Sequence, residues 1–251
     1  MRKLLQFASS KARPCIPVQA VVPDLQRAQL AAVYYGQRIA GDFYDFLRVS
    51  PTRVLFGLLD VAGRLDDTRE IVSAAQNTFR SAGADLFAQE DMNESNAMIE
   101  LGIQLNRSIL NTAGHVCSSP AFAGCYNETL GTVCYVNAGH TPGLVRDGSG
   151  ISELPATGLP LGLFSHSTTD ASIVALQPGA ILLVVSRGII EARNKGEDFG
   201  LRQVKDNLEL VRTETAQQIC ASILDKVQEF THQAPTHNDV TVLALARHAR
   251  V

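Results

Sequence analysis

The fold of this chain is decided by the stretch GDFYDFLRVSPTRVLFGLLDVAG, residues 41–63. Apolar and polar residues alternate from Asp42 to Val49, and a second apolar run follows from Arg53 to Leu59. Because Pro51-Thr52 between the two runs is typical of a turn, the stretch predicts a β-hairpin. Asp60 then falls at a strand end, where side chains can project into a shared cleft.

Asp42 and Asp60 are a carboxylate pair of the kind that suits Mg²⁺ or Mn²⁺. These hard ions prefer oxygen ligands, and they are held by few carboxylates while keeping several waters. Two such ions can share one carboxylate and generate a hydroxide aimed at a phosphoryl group. Taken alone, the pair also fits turn residues or solvated surface acids.

Outside the hairpin, the chain predicts one mixed α+β domain. Leu25–Tyr34 fits either a helix or a strand. Helical spacing extends from Ile71 to Leu86 and from Met98 to Ile109, the second with Asn93-Glu94 as its cap and Gly114 as its stop. Further predicted strands are 121–126, 132–137, 143–146, 172–176, 180–185 and 240–246, and further helices are 201–211 and 216–230.

The strand pattern also suggests how neighbouring strands pair. Residues 121–126 and 132–137 form a predicted hairpin, and 143–146 is expected to continue that meander. Residues 172–176 and 180–185 are expected to pair around Pro178-Gly179. Strands, two helices, many strands, then helices and a strand favour a layered sandwich over alternating βαβ units.

Composition narrows the class of protein. With 251 residues, 45% of them hydrophobic, the chain can bury a large core. A net charge of -3 gives no overall attraction to nucleic acid. A signal-peptide core and a membrane-length apolar run are both lacking, so the prediction is a cytoplasmic protein without a membrane span.

The five cysteines also favour the cytoplasm. Their number is odd and they include no CxxC pair, which is typical of reduced thiols. A zinc site at Cys117, Cys125 and Cys134 is the alternative to buried small hydrophobic residues, although their spacing matches no finger or ribbon.

An ordered set of motifs is more specific than any single pair of acids. It comprises GDFYDF (41–46), LDVAG (59–63), NAGHTP (137–142), LPLG (159–162), the run 182–191 and NDVT (238–241). Their order and spacing resemble the metal-dependent protein serine/threonine phosphatases, the PPM family, in its bacterial SpoIIE-type branch. The resemblance implies a four-layer α-β-β-α sandwich, two antiparallel sheets flanked by helix pairs. It places the phosphatase-like domain at residues 24–248, after an N-terminal arm or linker at 1–23.

The resemblance also implies a set of metal ligands. In the family, one ion is bound by the positions of Asp42, Asp60 and the backbone carbonyl of Val61. The second ion shares the position of Asp60 and takes one Asp from a Thr-Asp-Gly motif and the first Asp of Asp-Asp-x-Thr. Here Ser186 is the degenerate ligand position and Asn238 is a weak neutral ligand. The implied cofactor is therefore one Mg²⁺ or Mn²⁺ ion rather than two, with none as the alternative.

Other residues near these motifs have predicted roles of their own. Arg187, in the Ser186-Arg187 pair that replaces Thr-Asp, could supply positive charge beside Asp60, or it could be an exposed strand-end residue. Asp45 and His140 are expected to be structural. Asp239 is not expected to replace Asn238, since neighbouring residues of a strand face opposite ways.

The function implied by the resemblance is metal-dependent hydrolysis of phosphoserine or phosphothreonine on a regulatory partner protein. In bacteria the usual substrate is a phosphorylated anti-sigma-factor antagonist, so the chain is expected to act in signalling. Loss of one metal site predicts weakened catalysis. The alternative is a pseudophosphatase that binds a partner without chemistry, and a third reading is a small-molecule phosphatase.

Overall fold

The quoted stretch folds as the predicted hairpin and starts one of two antiparallel sheets. The computed structural model describes residues 20–35, 41–61, 65–166, 169–212, 215–232 and 238–249. In these ranges, β1 (Ala28–Tyr35) precedes the hairpin strands β2 (Gly41–Ser50) and β3 (Arg53–Val61). The run at 25–34 is therefore mostly strand. The predicted arm at 1–23 lies outside the described residues except for residues 20–23.

Two helices follow the hairpin, α1 (Leu65–Leu86) and α2 (Glu94–Ala113). Before α2, the side chain of Asn93 accepts a hydrogen bond from the backbone N–H of Asn96 at 2.9 Å. The helix ends at Gly114, whose φ of 67° is a left-handed conformation that favours glycine. The cap and the stop predicted for this helix are both confirmed.

The rest of the chain supplies most of the strands and a second group of helices. In chain order the elements are β4 (Ala121–Asn127), β5 (Thr132–Ala138), β6 (Gly143–Asp147), β7 (Gly150–Leu154), β8 (Ser172–Ala175), β9 (Ile181–Val185), α3 (Arg187–Ile190), β10 (Arg193–Asn194), β11 (Glu197–Asp198), α4 (Gly200–Leu210), α5 (Ala216–Phe230) and β12 (Val240–Arg247). The predicted helices and the closing strand are confirmed, whereas β7 and the one-turn helix α3 were not predicted.

Each of the two large sheets has five strands, and all neighbouring strands in them are antiparallel. The first sheet has the order β2-β3-β4-β5-β8 and the second has the order β1-β12-β9-β6-β7. A separate two-stranded ribbon is formed by β10 and β11. The hairpin and the closing strand therefore belong to different sheets.

Two predicted strand pairings are wrong. Instead of continuing the β4–β5 meander, β6 pairs with β7 and β9 in the second sheet, and β8 takes the place beside β5. The expected β8–β9 pair is divided between the sheets. Gly179, with a φ of 84°, lies in a turn that carries the chain from one sheet to the other. Strand alternation cannot separate such a crossing from a hairpin, because both use the same turn residues.

Three hydrophobic layers make this the predicted four-layer α-β-β-α sandwich. α1 and α2 cover the outer face of the first sheet, with Phe79 and Leu101 in that core. The two sheets face each other across a second core that contains Phe122. α4 and α5 cover the outer face of the second sheet around Val204 and Ile223. Alternate residues of a core strand thus face either a helix pair or the opposite sheet.

Two expectations from composition concern the cysteines, expected as reduced thiols, and the lack of a membrane span. Cys117, Cys125, Cys134 and Cys220 are all buried and free of disulfides. They behave as small core residues, and within the described ranges they join no group that could hold a metal. Among the described helices, none is both long and apolar enough to cross a membrane.

The two acids of the first motif lie on opposite faces of β2. Asp45 is buried on the face that α1 covers. Its carboxylate accepts hydrogen bonds from Arg80 Nε at 2.7 Å, from Arg80 Nη2 at 3.0 Å and from Gln76 Nε2 at 3.1 Å. Asp45 therefore fastens α1 to the hairpin, which leaves Asp42 free to face the opposite sheet.

We predict that Asp45→Ala destabilises the protein by about 2–4 kcal/mol, because a buried carboxylate that accepts hydrogen bonds from Arg80, Gln76 and the backbone N–H of Phe46 is lost. The change is measured as the free energy of unfolding in urea. Asp85→Ala is the matched control. Asp85 is an exposed acid on α1, the helix that Asp45 anchors, and its loss should cost less than about 0.5 kcal/mol. Equal losses in the two variants would contradict the anchoring role of Asp45.

Candidate metal and phosphate site

The register of the hairpin places Asp42 directly opposite Asp60. The next pair on the same face is Tyr44 opposite Leu58, and both of these side chains belong to the core between the sheets. The two carboxylates therefore face the second sheet at one end of the sandwich. Asp60 is buried and Asp42 is partly exposed. The structure thus brings together the two acids that the sequence placed in one cleft.

Asp42 is held by hydroxyl groups from the second sheet. Thr241 Oγ1, on β12, donates to Asp42 Oδ2 at 2.7 Å, and the Ser186 hydroxyl also bonds to this carboxylate. Burial and the charge of Asp60 raise the pKa of Asp42 from 3.8 to about 7, against the lowering effect of the two hydroxyls. Burial therefore disfavours the charged form of this carboxyl group.

Asp60 has a cationic neighbour in Arg187. Arg187 Nε lies 3.5 Å from Asp60 Oδ2 and 3.9 Å from Glu191 Oε2. Burial raises the pKa of Asp60, Arg187 lowers it, and Glu191 and Asp239 raise it further. Since the Arg187 side chain is 47% exposed, we expect the ion pair to contribute about 1 kcal/mol at most.

Arg187 does not end a strand, so the strand-end interpretation of this residue is wrong. β9 stops at Val185, and Arg187 is the first residue of α3. The Thr-Asp-Gly pattern expected from the resemblance aligns with Ser186-Arg187-Gly188. This alignment corrects the assignment made above, because it moves the replaced aspartate from Ser186 to Arg187. The substitution thus places a cation beside Asp60, where the pattern has an anion.

Ser186 is fully buried and joins β9 to β12. Its Oγ accepts a hydrogen bond from the backbone N–H of Thr241 at 3.0 Å and lies 3.4 Å from the backbone oxygen of Asp239. A serine hydroxyl has one proton to donate. Ser186 can therefore donate to Asp42 or to the Asp239 carbonyl, but not to both at once.

Asn238 and Asp239 differ in their surroundings. The Asn238 side chain donates to Glu191 Oε2 at 3.1 Å, at the exposed rim of the site. Asp239 is only 2% exposed, and neither of its carboxylate oxygens has a hydrogen-bond partner among the described residues. Its charge acts on both Asp42 and Asp60.

Asp239 lies directly before β12 and is not part of that strand, so the strand alternation on which its expected orientation was based does not apply to it. Thr241, two residues further on and inside β12, contacts Asp42. Asp42, Asp60 and Asp239 are called the acid cluster below.

The donor chemistry of the acid cluster suits one hard divalent cation. Carboxylate oxygens are the preferred ligands of Mg²⁺ and Mn²⁺, and the buried Asp239 carboxylate lacks any compensating group in the described part of the chain. In the same ranges, no three acid, histidine or cysteine side chains converge as a ready-made metal site. Asp42 and Asp60, with the Val61 carbonyl, remain the predicted ligands.

The NAGHTP motif (137–142) contacts the end of β9 next to the site. Thr141 Oγ1 donates to the backbone oxygen of Val185, directly before Ser186. The His140 ring is buried; its Nδ1 lies 3.1 Å from the Thr141 backbone oxygen, and Nε2 has no partner among the described residues. His140 is thus a loop residue behind the end of β9, in keeping with the structural role expected for it.

Comparison with known proteins identifies the family of the chain. The family model described as Stage II sporulation protein E (SpoIIE) matches residues 50–248. Protein IcfG from Synechocystis sp. is 24% identical over 207 residues, which is 72% of this chain and 32% of that protein. The chain therefore spans about a third of the length of this relative.

Solved structures show the same fold. The RsbU and RsbW domains of Rv1364c from Mycobacterium tuberculosis superpose with a TM-score of 0.74 at 22% identity, over 98% of this chain and 65% of that one. For the PP2C phosphatase domain of SpoIIE from Bacillus subtilis the TM-score is 0.72 at 17% identity, over 89% and 64%. The catalytic domain of the serine/threonine phosphatase PstP, solved with two manganese ions, gives 0.61 at 12% identity, over 88% and 99%.

We predict that acid destabilises the protein partly through His140. Burial lowers the pKa of this ring from 6.5 to about 4, so its contribution to stability is complete above about pH 6.5 and is lost as the pH falls through about 4. The full effect of this one group is about 3 kcal/mol. Urea unfolding between about pH 7 and about pH 4 measures it. His140→Gln should flatten the pH dependence relative to the unsubstituted protein, and identical slopes would contradict the prediction.

Proposed function

This chain belongs to the SpoIIE family, and on that premise we propose that it is a weakened metal-dependent protein serine/threonine phosphatase. The observation that carries the proposal is the facing pair of Asp42 and Asp60, set by the hairpin register at the end of the two sheets. The proposed domain spans residues 24–248, after an arm or linker at 1–23. The fold itself is that of PP2C-type phosphatase domains.

The side chains of the site have separate tasks in this proposal. A bound Mg²⁺ or Mn²⁺ ion supplies Lewis-acid activation of water for in-line attack on phosphorus. Asp42, Asp60 and the Val61 carbonyl would hold that ion. Thr241 fixes the orientation of Asp42 through its 2.7 Å hydrogen bond, and the half-exposed Arg187 can meet the phosphate oxygens.

One ion rather than two follows from the replaced residues. Arg187 brings a positive charge to 3.5 Å from Asp60, where a second cation would be repelled. The Asn238 amide is engaged with Glu191. Because one ion alone gives less charge stabilisation than a pair that clamps both the attacking and the leaving oxygen, catalysis is expected to be slow.

The proposed substrate is a regulatory protein phosphorylated on serine or threonine, such as an anti-sigma-factor antagonist. Two observations support this choice. The chain belongs to the SpoIIE family, and a similar fold occurs beside an RsbW domain in Rv1364c. A role in partner-switching signalling follows from the same proposal.

We predict Mn²⁺-dependent hydrolysis of a phosphoserine or phosphothreonine peptide, measured as phosphate release. Asp60→Ala should lower the rate at least about 100-fold, since even partners behind metal ligands often cost 10–100-fold. Asp198→Ala is the control, because Asp198 is exposed and paired with Arg193. Absence of turnover at millimolar Mn²⁺ would overturn the proposal, and a clear preference for a small phosphate ester over the peptide would overturn the choice of substrate.

A second candidate function is a pseudophosphatase that binds its partner without chemistry. It is favoured because both carboxylates already have partners within the protein. The hydroxyls of Thr241 and Ser186 bond to Asp42, and Arg187 pairs with Asp60. In this case the chain would bind the phosphorylated partner equally well with and without Mn²⁺, and no phosphate would be released.

Arg187→Gln tests whether this arginine stands in for a cation. If it does, removing its charge should raise the affinity for Mn²⁺ by about twofold to fivefold, and the thermal midpoint of the metal-free protein should fall because Asp60 loses its partner. Isothermal titration and thermal unfolding measure the two effects. Unchanged affinity together with an unchanged midpoint would show that Arg187 has no such role.

A further inference from the structure

Asp239 is the acid of the site that protein contacts explain least. Its side chain is almost completely buried, yet neither carboxylate oxygen accepts a hydrogen bond from any residue that the structure describes. Buried carboxylates are normally neutralised, paired or bound to a metal. The nearest described cation in the site, Arg187, is already shared between Asp60 and Glu191.

The backbone fixes Asp239 where it is. Its carbonyl oxygen lies 3.4 Å from Ser186 Oγ and packs against Gly188, where an added Cβ would come within 2.0 Å of that oxygen. Two residues further on, Thr241 donates its hydroxyl to Asp42. The backbone of Asp239 is therefore packed tightly against the start of α3.

The neighbouring residue offers a poorer ligand. Asn238 is the residue at the family's ligand position, but its side chain is neutral and is bonded to Glu191 at the rim. Asp239 has a carboxyl group, is enclosed, and is among the acidic neighbours that raise the pKa of Asp42 and of Asp60.

We infer that Asp239 is a metal ligand of this chain and supplies, with Asp42 and Asp60, the third carboxylate that Asn238 cannot provide. The inference rests on the proposed metal-dependent function, and it names a ligand one residue away from the expected position. A site with three carboxylates should retain Mg²⁺ or Mn²⁺ more firmly than a site with two.

The test is Mn²⁺ binding to the full chain, measured by isothermal titration and by the loss of the free-ion electron paramagnetic resonance signal. Asp239→Asn, which keeps the shape of the side chain, should lower the affinity at least about tenfold. Asn238→Ala should lower it less. Asp206→Asn makes the same chemical change at an exposed acid of α4 and should leave the affinity unchanged.

Thermal unfolding without metal keeps the test valid if a variant folds poorly. Asp239→Asn should raise the midpoint of the metal-free protein, because it removes an unpaired buried charge, and Mn²⁺ should stabilise this variant less than it stabilises the parent chain. Equal Mn²⁺ affinity in Asp239→Asn and the parent chain, a larger loss in Asn238→Ala, or a parent chain that binds no Mn²⁺ would each overturn the inference.

The binding data also separate this inference from the proposed function. Mn²⁺ binding that depends on Asp239, without phosphate release, supports the ligand assignment and overturns the phosphatase proposal. Mn²⁺-dependent phosphate release that is unaffected in Asp239→Asn supports the phosphatase proposal and overturns the ligand assignment.

Discussion

The register between two adjacent strands is the constraint on which the site depends. Asp42 lies across from Asp60 because the β2–β3 turn fixes which residues pair, and a shift by one residue would turn one of the two carboxylates toward the helices. Like charges directly opposite one another are unfavourable in a sheet. The hairpin tolerates them because Leu58 and the rest of the core between the sheets stabilise this register.

The second sheet turns this pair into a site. β9 and β12 are neighbours, and they present Ser186 and Thr241 toward Asp42 from across the sandwich. Thr141 ties the end of β9 to the loop after β5. The acids are therefore enclosed by groups from both sheets, and replacing individual charged residues need not alter the frame that surrounds them.

Much of this arrangement was readable from the sequence, and the exceptions have physical causes. Alternation gave the hairpin, helical spacing gave α1, α2, α4 and α5, and the motif order gave the sandwich. The pairing of β8 and β9 was misjudged because the turn at Gly179 serves a crossing as well as it serves a hairpin. Asp239 was set aside because strand alternation was applied to it, although it precedes the first residue of β12. The ion pair of Arg187 depends on a helical turn too short to leave a periodic signal.

The opposite orientations of Asp42 and Asp45 have a consequence for how this motif is read in other chains. Asp45 is required for packing, since it joins a helix to the sheet through Arg80 and Gln76. Selection for folding alone would preserve Asp45 in a lineage that had lost all catalytic activity. A match to GDFYD therefore identifies an architecture, and only the identity of the residues facing the other sheet can indicate whether an enzyme remains.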